Sequence, residues 1–100
     1  MRFCIVIMGG SQFRFTRTLA DQDRVYFTIR GFSQEPKDND IRIENRKLAA
    51  GVRFKSDRPL SRVAFWSIRA PLCVEPFIDI SIEPGVEFTW RTDYEYYRLP

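Results

Sequence analysis

Ile82-Glu83-Pro84-Gly85-Val86-Glu87-Phe88-Thr89-Trp90-Arg91-Thr92-Asp93-Tyr94-Glu95-Tyr96-Tyr97 joins a tight-turn signal to a long alternation of apolar and polar residues. Proline at the second turn position holds φ near about −65°, and glycine at the third accepts the positive φ of a type II turn. Beyond the turn, Phe88, Trp90, Thr92, Tyr94 and Tyr96 fall on one face of a pleated strand. Glu87, Thr89, Arg91, Asp93 and Glu95 fall on the other. The preceding Phe77-Ile78-Asp79-Ile80-Ser81-Ile82 is almost continuously apolar, as a central strand is. The expectation is an antiparallel hairpin in which residues 77–82 turn at 84–85 into a strand over 86–97.

The same period of two runs through the rest of the chain. Phe13 and Phe15 alternate with Gln12, Arg14 and Thr16; Val25, Phe27 and Ile29 with Tyr26, Thr28 and Arg30; Ile41 and Ile43 with Arg42 and Glu44. Leu48, Ala50, Val52 and Phe54 alternate with Ala49, Gly51, Arg53 and Lys55. Arg62-Val63-Ala64-Phe65-Trp66 reads as a second central strand, and Phe3-Cys4-Ile5-Val6-Ile7-Met8 as a buried one. Turn residues punctuate these runs at Gly9-Gly10, 20–23, 35–40 and 56–59. About eight short strands at this spacing predict an all-β fold, an antiparallel β-sandwich, with residues 1–100 as a single β domain.

The chain has 100 residues, 44% of them hydrophobic and 15% aromatic, which is a globular composition and excludes disorder. The net charge is +3, but the 16 Lys and Arg are interspersed with 13 acids. That spacing describes the solvated faces of strands, so a nucleic-acid partner is not expected. Phe13-Arg14-Phe15-Thr16-Arg17 reads the same way, as a half-buried strand with arginines on its wet face. Cys4 and Cys73 are the two cysteines; with no secretory signal they read as reduced thiols in a cytoplasmic protein. The absence of histidine and of any Cys-x-x-Cys predicts no metal site, and no cofactor is expected. Asp38-Asn39-Asp40 lacks the remaining ligands of a calcium loop and reads as a polar turn. The six apolar residues at 3–8 are too few to span a membrane.

Leu72-Cys73-Val74-Glu75-Pro76-Phe77 carries the candidate chemistry. Proline at 76 drives residue 75 into extended geometry and removes an N–H from any ladder, which places Glu75 at a strand entrance or edge. From spacing alone Glu75 is a surface glutamate; beside Val74 and Phe77 a carboxylate can also serve as a general base. Trp66 can stack on the C–H face of a sugar and Arg69 can donate to hydroxyls. Without other information Trp66 reads equally as a core residue and Arg69 as an exposed one.

The segment Leu72-Cys73-Val74-Glu75-Pro76, the Glu83-Pro84-Gly85 turn and the aromatic tail Tyr94-Glu95-Tyr96-Tyr97 together resemble the C-terminal part of a galactose mutarotase-like (aldose 1-epimerase superfamily) domain. The resemblance covers about residues 48–97 and leaves residues 1–20 unassigned. It implies a portion of the family's large β-sandwich, truncated relative to the whole, with Glu75 as the family's general base and Trp66 and Arg69 as substrate-binding residues. The family's acid is a histidine and this chain has none. The implied function is therefore a carbohydrate-binding domain with a sugar ligand and little or no mutarotase activity. A non-enzymatic β-sandwich interaction module is the alternative. A partial sandwich would leave apolar sheet surface uncovered, and with it a tendency to self-associate.

Overall fold

The computed structural model describes residues 3–100, and it is all-β. Its strands are β1 (Cys4–Met8), β2 (Ser11–Arg14), β3 (Val25–Ile29), β4 (Asp40–Asn45), β5 (Ala50–Ser56), β6 (Arg62–Ser67), β7 (Leu72–Phe77) and β8 (Thr92–Arg98). One sheet runs β2-β1-β4-β5-β8 and the other β3-β6-β7; every pairing is antiparallel. A single 3-10 turn, Pro36–Asp38, interrupts the strands among the described residues.

Alternation sends Val6, Met8, Ile41 and Phe54 of the larger sheet inward to meet Val63 and Phe65 of the smaller one, with Leu60 from the β5–β6 loop. Phe13, Val25, Phe27, Ile43, Leu72 and Val74 pack around them. Residues 1–20, which the resemblance leaves unassigned, contribute an inner strand: β1 lies between β2 and β4, and Cys4, Val6 and Met8 are buried. The β1–β2 hairpin closes through Gly9-Gly10, where Gly9 takes φ 54°, a conformation glycine adopts without cost.

The hairpin expected over 77–97 does not form. The turn does: Val86 N–H donates to the Glu83 carbonyl at 3.1 Å and Gly85 has φ 80°. The chain on either side of it is irregular. β7 ends at Phe77 and β8 begins only at Thr92. β8 adds to β5 in the other sheet, with seven residues in register from Ala50↔Arg98 to Ser56↔Thr92. The intervening segment is tied back through Arg58. Its Nη2 donates to the Thr89 carbonyl at 2.7 Å, and its guanidinium lies 4.4 Å from the centroid of the Phe88 ring. Asp57 adds a second tether: its N–H donates to the Arg91 carbonyl at 3.2 Å, and its Oδ1 accepts the Arg91 N–H at 3.0 Å. Turn chemistry is local and was realised; strand pairing is a contest between edges, and β5 offers the longer one.

Gly51 shows why β8 is held where it is. The Tyr97 ring packs so closely over it that a Cβ would lie 2.6 Å from ring carbons. The Tyr97 hydroxyl donates to Glu44 Oε2 at 2.7 Å, and Arg46 lies 3.6 Å from Oε1 of a carboxylate that is only 7% exposed as a residue. Burial, reinforced by the hydrogen bond to Glu44, pushes the Tyr97 phenol up to about 12. A phenol whose folded pKa is raised contributes stability below its unfolded value of about 10 and loses it as pH climbs toward 12. Gly51→Ala should displace the ring and cost about 1–2 kcal/mol, which lowers Tm by roughly 4–8 °C per kcal/mol. The check is a calorimetric melt with a 295 nm phenolate titration: the phenol near 12 should move toward 10. An unchanged Tm and titration would contradict this packing.

Candidate functional site

The register of the small sheet decides which side chains share its outer face. β3 pairs with β6 through Tyr26↔Trp66 and Thr28↔Ala64, and β6 pairs with β7 through Trp66↔Cys73, Ala64↔Glu75 and Arg62↔Phe77. Residues directly opposite project to the same side, so three rows form on the outer surface: Tyr26–Trp66–Cys73, Thr28–Ala64–Glu75 and Arg62–Phe77. The partners with the other parity, Phe27, Phe65 and Val74, face the core.

The floor of this face is low. Ala64 and Thr28 are small, and Ala64 is only 4% exposed because taller side chains flank it. Tyr26 and Trp66 rise on one side; Tyr26 is 66% exposed and Trp66 half-buried. On the other side the Arg62 guanidinium lies 3.9 Å from the centroid of the Phe77 ring, which fixes both groups by cation–π attraction. Glu75 stands exposed at the third edge, opposite Ala64.

Pro76 explains why β7 is an edge. It follows Glu75 and pairs opposite Val63, and a residue without an N–H is tolerated in a ladder where one side faces solvent. Edge position is what the X-Pro pattern predicts for Glu75. It sits within β7, however, and not at its entrance. The structure therefore brings Glu75 and Trp66 onto one surface, one diagonal step apart. Arg69 is separate: it lies in the β6–β7 loop, exposed, and pairs with Asp21 of the β2–β3 connection.

Sequence reasoning missed Tyr26, Arg62 and Phe77. Alternation of Val25, Phe27 and Ile29 already turns Tyr26 away from the core. That it stands beside Trp66 follows only from the β3–β6 register, which no local pattern encodes.

Among the described residues no group of His, Cys, Asp and Glu is placed to hold a metal ion, and no helix is long and apolar enough to cross a membrane. Comparison with protein-family models, curated proteins and solved structures returned no match.

Both cysteines are free thiols, Cys73 exposed on this outer face and Cys4 buried in β1, where burial pushes its thiol up. A thiolate is the reactive species, so a maleimide or disulfide reagent should modify one thiol per native chain, at Cys73. Peptide mapping should find Cys4 modified only after denaturation. Native labelling at Cys4 would contradict the position of β1 in the core.

Proposed function

We propose that this protein is a carbohydrate-binding β-sandwich without mutarotase chemistry. The observation that carries the reading is the Tyr26–Trp66 pair beside Glu75 on one outer face. Aromatic rings offer the flat apolar surface on which sugar C–H groups stack, and a carboxylate accepts two hydroxyl donors at once. Arg62, held over Phe77, supplies donors from the opposite side. These are the polar and apolar halves that a sugar ring presents.

The same geometry favours binding over turnover. General-base catalysis profits from a water-excluding site with an acid across the sugar, and Glu75 is exposed on an open sheet. The test is isothermal titration with glucose, galactose and their disaccharides cellobiose and lactose. Tyr26→Ala and Glu75→Gln should each weaken the preferred sugar by a few-fold to about tenfold, with the melting curve little changed, since both residues are exposed. Polarimetry should show mutarotation at the buffer rate for both native protein and Glu75→Gln. No heat with any of these sugars at tens of millimolar would overturn the reading, and rate enhancement abolished by Glu75→Gln would restore a catalytic role.

A second reading, an interaction module that associates with itself, is favoured by a different observation. β8 is an edge strand that no strand of the small sheet covers in the core packing, and Tyr94 and Tyr96 are 62% and 80% exposed on the face that elsewhere forms the core. Ile80, Ile82, Val86 and Trp90 are exposed in the segment leading to it. An open edge with apolar neighbours is a template for pairing. Light scattering after size-exclusion should then give a dimer or larger species that Tyr96→Lys converts to monomer. A native monomer at hundreds of micromolar would remove this reading.

A further inference from the structure

A cleft lies on the opposite side of β3 from the Tyr26–Trp66 face. It opens between the sheets where edge strand β2 meets edge strand β3, and its volume is about 500 Å³, within the range of small-molecule sites. Phe13, Phe15, Phe27 and Phe65 form its walls. The Phe27 and Phe65 rings stack with centroids 4.7 Å apart, Phe13 lies 5.6 Å from Phe27, and Phe15 lies 6.2 Å from Phe65. Rings in mutual contact hold one another in place, so the walls are preformed.

The mouth is basic. Arg14 and Arg17 border it. Arg17 is committed: its Nη1 donates to Asp23 Oδ2 at 2.8 Å, and that same oxygen accepts the Ala20 N–H at 2.8 Å. The Arg17 hydrogen bond and then the backbone donor hold the Asp23 carboxyl below the usual carboxylate range, so this clasp persists above pH 4. The Arg14 side chain makes no hydrogen bond, ion pair or ring contact among the described residues. Arg14, the last residue of edge strand β2, thus brings an uncommitted side chain to the rim of an apolar, aromatic cleft.

We propose that this cleft binds a small amphipathic carboxylate, a medium-chain fatty acid or an aryl-substituted acid, with its apolar body between the phenylalanines and its carboxylate on Arg14. A neutral apolar molecule would fill the walls and leave the guanidinium unused. A cationic one would meet two arginines. A carboxylate gains from both parts, because the guanidinium fork matches its two oxygens.

The experiment titrates the full chain with octanoate, hexanoate and 1-octanol, read by calorimetry and by 1H–15N shift mapping. Octanoate should perturb the amides of Phe13, Phe15, Phe27 and Phe65 and bind about tenfold more tightly than 1-octanol. Hexanoate should be weaker by roughly threefold to fourfold for each methylene removed. Arg14→Gln, at an exposed edge position, should abolish the advantage of octanoate over 1-octanol without altering 1-octanol itself, and Arg14→Lys should retain part of it. Equal affinity for the acid and the alcohol would overturn the carboxylate site. Shifts centred on Tyr94 and Tyr96, or no shifts at millimolar octanoate, would overturn the cleft. None of these outcomes bears on sugar binding at the Tyr26–Trp66 face, so the two sites are judged separately.

Discussion

The contact on which the rest depends is that of Val63 and Phe65, from the middle strand of the small sheet, against Val6 and Ile41 of the large one. These residues are almost completely buried, and they belong to the cluster that joins the two sheets. A three-stranded sheet has little stability on its own, so it exists here because one face is buried against a partner. Because strand side chains alternate strictly, committing Val63 and Phe65 to the core commits Ala64 and Trp66 to the outside. A one-residue slip of β6 would bury the tryptophan and dissolve the outer surface. The candidate site is thus a direct consequence of the core.

The two sheets are unequal, and the inequality shapes both remaining surfaces. Three strands cannot cover five. At one end the sandwich gapes between β2 and β3, where phenylalanines line a cleft instead of closing it. At the other end β8 extends the large sheet beyond the reach of the small one, and its tyrosines stay in solvent. Surface that would be core in a balanced sandwich is here available for contact with something else.

Most of the fold was legible because period two is a strong signal. Val25–Ile29 forms a strand as its alternation indicates, and Arg62–Ser67 forms the middle strand that its nearly continuous apolar run indicates. The failure is equally physical. Ile80 and Ile82 carry strand-forming side chains, yet they lie in irregular chain and are about half exposed. A strand exists only where an edge accepts it, and the β8 half of the expected hairpin found its partner in β5, far earlier in the chain, from Ser56↔Thr92 to Ala50↔Arg98. The site was half legible for the same reason. The X-Pro constraint placed Glu75 on an edge, but its company was set by register: Trp66 on one side, Arg62 and Phe77 on the other. Arg69, three residues after Trp66, was separated from them by the β6–β7 turn.

The central claim is that a sugar ring lies against the Tyr26–Trp66 pair within reach of Glu75. The most direct measurement is intermolecular nuclear Overhauser contact between the ring protons of a bound aldose or disaccharide and the protein. Contacts from sugar C–H protons to the Trp66 indole and the Tyr26 ring, with none to Trp90, Tyr94 or Tyr96, are predicted. Contacts confined to the aromatic residues of β8, or none with saturating sugar, would contradict it.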